Sequence, residues 1–191
     1  MTWQEFLVES LTSQSEVRAV ASSSQGLAEL ITDLASLDDA DAVIELGPGS
    51  GVFTEKIVEK TKVGSTFLAF EVNHRFVEVT RRRCPRCTVL QQSAVHARKH
   101  LNESGHEHCD SVVSGLPWAT FSESEQDDLL DAVSEVLRPG GTFVALAYVS
   151  ALLLPRGRGF RRKLHQRFTD VEQSRVVWRN MPPAFVYRAV R

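Results

Sequence analysis

Over the first forty residues, apolar positions recur three and four apart, the spacing of one helical face. Trp3, Phe6, Leu7 and Leu11 share one such face. Leu27, Leu30, Ile31, Leu34 and Leu37 share another, behind Ser22-Ser23-Ser24, any of which suits a helix cap. From residue 41 the pattern changes. Short apolar runs at 41–46, 65–72, 87–93, 109–115 and 142–149 predict buried strands. Between them lie helical segments: "VFTEKIVEK", "NHRFVEVTRRR" capped by Asn73, "AVHARKHL", and a longer helix opened by a capping box at Ser122–Glu125. That last helix carries Leu129, Leu130, Val133, Val136 and Leu137 on one face, and Arg138-Pro139-Gly140-Gly141 is expected to stop it. Residues 172–178 and 184–190, either side of "RNMPP", predict a terminal hairpin.

Strand and helix thus alternate from residue 41 onward. Such alternation predicts an α/β fold, with βαβ units joined by right-handed crossovers into a mostly parallel sheet. The 191 residues suit one domain with one core, and no repeat, low-complexity segment or linker divides them.

Composition adds little until charge is followed along the chain. The net charge is −2, but the first 60 residues hold 11 acids against 3 bases, and the remainder 13 acids against 19 bases. Six of those bases fall in the acid-free stretch "PRGRGFRRKLHQRF" (155–168), either a solvated helix face or a surface for phosphates and anionic lipid. An acidic first third disfavours nucleic acid as a partner. The N-terminus lacks the basic start of a signal peptide. The longest apolar-rich run, 142–155, is shorter than the roughly 20 residues of a spanning helix. A cytoplasmic protein is expected, with peripheral membrane contact through Arg156–Arg167 if that stretch serves as a lipid surface. Cys84-Pro-Arg-Cys87 is a lone CxxC, with His106, His108 and Cys109 further on; without a second spaced pair no metal is expected.

The chemistry concentrates at two turns. Glu45-Leu46-Gly47-Pro48-Gly49-Ser50-Gly51 joins a predicted strand to a helix, where glycines let a ligand approach the backbone and the helix start offers free N–H groups. Glu71 ends the next strand, where a carboxylate accepts both hydroxyls of a ribose. A dinucleotide fingerprint requires its third glycine at position 52, which is Val52. The second turn is Gly115-Leu116-Pro117-Trp118, at the end of the fourth strand.

E-x-G-x-G-x-G with a second-strand acid, Pro-Gly-Gly before the fifth strand and a terminal hairpin resemble the class I S-adenosylmethionine-dependent methyltransferases. The resemblance covers roughly residues 20–191. It implies a Rossmann-like seven-stranded methyltransferase sheet with helices on both faces, forming a single domain over 1–191 whose N-terminal helices (1–38) cover the cofactor and acceptor site. It implies S-adenosyl-L-methionine as cofactor, held by Glu45, Gly47, Gly49, Gly51, Glu71, Val72, Ser93, Ala94 and Ser114. Ser93 lies in "QQSA" where the family commonly has "GDA". Amino-methylating members carry an (N/D)-(P/L)-P-(F/Y/W) turn after the fourth strand, and Leu116-Pro117-Trp118 matches its last three positions. There the carbonyl of Leu116 and the ring of Trp118 are expected to clamp the acceptor amine, with Tyr148 and Asn180 orienting it or relaying its proton. Gly115 replaces the side-chain acceptor that an adenine amine requires.

"VASSSQGLAELI" (20–31), "DSVVSGLPW" (110–118) and "VVWRNMPPAFVYR" (176–188) resemble the bacterial phospholipid N-methyltransferases acting on phosphatidylethanolamine. An amine-bearing lipid is the implied acceptor. An RNA adenine, as in the rRNA adenine dimethyltransferases, and a small soluble amine are the alternatives. The acidic first helix, with Glu5, Glu9 and Glu16 against Arg18, departs from the basic helix of the lipid family.

Overall fold

The computed structural model describes residues 25–191. The predicted helix at Trp3–Leu11 and the serine cap at 22–24 lie outside the described residues. The chain order is α1 (25–33), β1 (Ala42–Leu46), α2 (Val52–Lys60), β2 (Thr66–Phe70), α3 (His74–Arg83), β3 (Thr88–Leu90) and α4 (Ala97–Glu103). It continues through β4 (Cys109–Ser114), α5 (Glu123–Val136), β5 (Leu137–Tyr148), α6 (Pro155–Arg167), β6 (Asp170–Gln173) and β7 (Ala184–Val190). Short 3-10 turns at Ala94–His96, Trp118–Thr120 and Val149–Leu153 follow β3, β4 and β5.

The seven strands form one sheet in the order β3-β2-β1-β4-β5-β7-β6. The pairs among β1 to β5 are parallel, and β7 runs antiparallel to both β5 and β6. Every residue of β1 is buried, as expected of a strand covered by helices on both faces. One core layer places Trp118, Phe143 and Phe160 between the sheet and α5/α6. The other packs Leu27 and Ile31 of α1 against Val43, Val144 and Val186. Strand order reverses between β1 and β4, and ligands in such sheets bind at the carboxyl ends of the strands beside that reversal.

The predicted caps are present. The Ser122 hydroxyl accepts from Glu125 N while the Glu125 carboxylate accepts from Ser122 N, and the Asn73 side chain accepts from Arg75 N. Three boundaries differ from expectation. β3 is only three residues long, because the chain turns at Ser93 into a 3-10 turn. Arg138-Pro139-Gly140-Gly141 lies within β5 as an irregularity rather than before it, where the register against β4 shifts between Cys109 and Ser111. The strand expected at 172–178 starts at Asp170 and ends at Gln173. There the Ser174 hydroxyl takes the Val186 N–H that the ladder would otherwise use, Ser174 N still donates to Val186 O, and beyond it Val177 bridges back to Ala184.

Candidate active site

Gly47, Gly49 and Gly51 all adopt the left-handed conformation. At Gly47 the φ of +71° strains any side chain, and a Cβ there would also displace the Leu116 side chain, whose Cδ2 would stand 2.7 Å away. The loop is tied from three sides. Thr80 Oγ1 donates to Gly49 O at 2.8 Å, Gly47 N donates to Phe70 O at 2.9 Å, and Glu71 accepts from Gly49 N at 3.3 Å. The second Glu71 oxygen accepts from Asn73 N at 2.9 Å, which fixes the carboxylate between the loop and the start of α3. Burial raises its pKa, although these amides pull the other way.

A cleft of about 290 Å³ opens at this edge, lined by Gly47, Glu71, Val72, Ser93 and Ala94, and also by Leu116, Phe121, Leu129 and the carboxylates Glu125 and Asp128. Five of the expected cofactor residues therefore meet on one surface. A carboxylate beside apolar side chains is the chemistry that suits a nucleoside, since such a group can accept ribose hydroxyls and an aliphatic surface can pack a flat base. Glu45, Gly49, Gly51 and Ser114 have a supporting place instead. Glu45 is wholly buried under the loop, where Thr54 Oγ1 donates to Oε2 at 2.7 Å and Oε1 has no partner among the described residues. The Ser114 side chain is buried behind the turn and accepts from Trp118 Nε1 at 3.0 Å and Leu116 N at 3.3 Å. Its hydroxyl is engaged with the turn, not the cleft. Residues of α1 line neither this cleft nor the cavity described next.

Burial pushes the Glu45 carboxyl up to about 8, with the nearby Glu71 charge adding to it. Its ordinary value in the unfolded chain is 4.5, so between these values the folded protein holds a proton that the unfolded chain has lost. Stability from this group is therefore complete at low pH and is lost as pH rises from about 4.5 to about 8. Glu45→Gln should flatten the melting temperature across pH 5 to 8. Parallel slopes for the two proteins would show that the carboxyl is ionised throughout.

Beyond Leu116 lies a second space, a cavity of about 220 Å³. Trp118, Tyr148, Leu146, Phe160, Phe185 and Tyr187 form much of its wall, and Leu116 borders both spaces. Pro117, at φ −81° and ψ 69°, centres an inverse γ-turn in which Trp118 N donates to Leu116 O at 3.0 Å. One lone pair of the Leu116 carbonyl is thus engaged within the turn and the other remains. Trp118 is 2% exposed, with Phe160 stacked on it at 4.5 Å between ring centroids and Phe121 and Phe143 edge-on. The ring expected to clamp the acceptor amine thus belongs to the core as well as to the cavity wall. Tyr148 lines the cavity, and burial pushes its hydroxyl up to about 12. Asn180 stands apart. It is buried, and its Nδ2 donates to Pro182 O at 2.7 Å inside its own loop, so its amide braces the turn.

Gly115 has a steric explanation. A Cβ there would lie 2.7 Å from Gly47 O, so the glycine loop leaves no room for Asn or Asp. Thr54, Thr80 and Phe160 were not singled out from the sequence. Phe160, Leu164 and Phe168 do recur at four-residue spacing within the basic stretch, which marks its buried face. The cysteines are unpaired, and among the described residues no group of three or more His, Cys, Asp or Glu is arranged to hold a metal ion.

The methyltransferase domain family matches residues 43–141, just over half of the chain. An ornithine lipid N-methyltransferase of Singulisphaera acidiphila is 28% identical over 174 residues, which is 90% of this chain and 86% of that protein. The ribosomal RNA small subunit methyltransferase A of Streptococcus pneumoniae is 33% identical over 94 residues, 46% of this chain and 31% of that one. An O-methyltransferase of Bacillus cereus, solved with S-adenosylhomocysteine, superposes with a TM-score of 0.68 at 15% identity, over 97% of this chain and 90% of that one. Sheet order, glycine loop and family match agree: the chain belongs to the methyltransferase domain family and is a class I S-adenosylmethionine-dependent methyltransferase.

Proposed function

We propose that the chain N-methylates the primary amine of a membrane amino lipid. The observation that carries this reading is the mainly apolar cavity adjoining the cofactor cleft across Leu116. The ornithine lipid N-methyltransferase, similar over nearly the whole chain, supports it. Phosphatidylethanolamine and ornithine lipid both offer such an amine.

Bound S-adenosylmethionine supplies the methyl group as a sulfonium. The chain holds the acceptor in line with it, and positioning accounts for most of the catalysis. The remaining lone pair of the Leu116 carbonyl accepts an N–H of the amine, directing the nitrogen toward the cofactor side of the turn. Apolar walls favour the neutral amine over its ammonium form. Tyr148, its pKa about 12, stays protonated near neutral pH and acts as a hydrogen-bonding partner, not a base. Asn180 acts by holding the 177–184 loop.

The basic stretch divides on folding. Lys163 and Arg167 pair with Asp127 at 2.8 Å each, Arg167 also reaches Asp131, and Arg156 donates to Thr120 O. Arg158, Arg161 and Arg162 stay exposed and have no ion pair among the described residues. The proposed membrane contact therefore rests on these three. Each base near an anionic surface contributes about 1 kcal/mol, so Arg161→Glu with Arg162→Glu should lower binding to phosphatidylglycerol vesicles by at least about tenfold. Cosedimentation unaffected by the double reversal would exclude docking through α6.

A methyl-transfer assay with labelled cofactor, run in parallel on phosphatidylethanolamine and ornithine lipid vesicles, RNA and small amines, tests the whole reading. Label is expected in the lipid fraction. Label in RNA or a soluble amine alone would overturn it.

A further inference from the structure

The cavity beside Trp118 is more than a gap in the core. Its volume is about 220 Å³, and apolar cavities of about 150 Å³ already stay dry and admit benzene. Leu154 both lines it and is 47% exposed, and the adjoining Leu153 is 80% exposed. The 177–183 loop stands alongside, since Val149 N donates to Pro183 O and Val177 bridges Ala184, which pairs with Tyr148. That loop carries Trp178 and Met181, 72% and 77% exposed. Four of the nine large apolar side chains exposed among the described residues thus lie around the carboxyl end of β5 and the loop before β7. Concentration of this kind marks an interaction surface rather than scatter. Arg158, Arg161 and Arg162 stand on α6, directly after Leu153 and Leu154, and match an anionic bilayer in charge. Within the cavity wall, the buried Tyr187 hydroxyl has no hydrogen-bond partner among the described residues, a cost that a ligand oxygen would relieve.

We infer that this cavity is an acyl-chain site. One fatty chain of the amino lipid leaves the bilayer past Leu153 and Leu154 and lies against Trp118 and Phe160, while the headgroup amine crosses Leu116 to the cofactor cleft. The inference rests on the amino-lipid reading for its ligand. An ester or amide oxygen of the acyl group provides the acceptor that the Tyr187 hydroxyl lacks.

The chain has three tryptophans, and Trp3→Phe with Trp178→Phe leaves Trp118 alone. Vesicles of phosphatidylglycerol and phosphatidylethanolamine with chain-brominated acyl groups should then quench most of its emission. Ala147→Phe, which fills the cavity, should abolish that quenching while vesicle cosedimentation and cofactor affinity stay the same. It should also lower apparent affinity for long-chain phosphatidylethanolamine in mixed micelles by at least about tenfold, because burial of two methylenes already corresponds to that factor. If Ala147→Phe does not melt cooperatively, Ala119→Phe in the turn after β4 provides the same comparison. Absent quenching, or equal quenching with the cavity filled, overturns the acyl site. Methylation of phosphatidylethanolamine without quenching leaves the amino-lipid reading standing and removes the acyl site. Quenching that filling abolishes, on a lipid that is never methylated, keeps the site and removes the substrate reading.

Discussion

Trp118→Ala should destabilise the protein by about 3–5 kcal/mol, the usual cost of emptying a buried aromatic position. For a chain of this size that corresponds to a melting temperature lower by about 6–20 °C. The estimate follows from the packing: Phe160 loses its stacked partner, Phe121 and Phe143 lose an edge contact each, and Ser114 loses the indole N–H. The same variant should also slow methyl transfer in whatever fraction stays folded. Ser114 then holds the turn through Leu116 N alone, at 3.3 Å, so the Leu116 carbonyl is less firmly aimed. Trp118→Phe separates the two effects. It keeps most of the apolar contact but not the Nε1 hydrogen bond, so its melting temperature should fall much less while single-turnover rates still drop. Cofactor affinity should stay close to the parent in both, because Trp118 does not border the cofactor cleft. A Trp118→Ala protein that melts normally would show that the ring is not a core residue. A Trp118→Phe protein at full rate would show that the Ser114 link does not position the acceptor.

What the sequence made legible was local. Buried parallel strands read as apolar runs, the capping box needs only four consecutive residues, and the spacing from Gly47 to Glu71 follows from one βαβ unit. The parts that were not legible depend on partners distant in the chain. Whether the indole is open or covered is decided by Phe160 on α6. How much of the basic stretch stays available is decided by Asp127 and Asp131 on α5, which engage Lys163 and Arg167. Gly115 read as a missing acceptor, yet the Gly47 carbonyl is what excludes a side chain there. Asn180 is a different case. Its partner is two residues away, but a short polar side chain in a turn serves its own backbone and a ligand equally well, and spacing does not distinguish the two.

Glu71→Ala should weaken S-adenosylmethionine binding by about 100-fold or more, measured by calorimetry. The Glu71 carboxylate is proposed to take both ribose hydroxyls, and a hydrogen bond to a charged group contributes about 1.5–3 kcal/mol, at about 1.4 kcal/mol per factor of ten. Its loss also releases Gly49 N and Asn73 N, so the glycine loop and the start of α3 lose a shared anchor. Glu71→Gln keeps one oxygen acceptor and gives up the charge, and a loss nearer tenfold is expected. The two variants should differ in pH dependence as well. Burial raises the Glu71 pKa, so in the parent protein affinity should rise as pH rises through that value and the carboxylate ionises. Neither variant carries the group, and both should lose that part of the slope. Melting curves of the ligand-free proteins check that the fold survives. An affinity unchanged in Glu71→Ala, in a protein that melts like the parent, would place the ribose elsewhere in the cleft and remove Glu71 from the cofactor site.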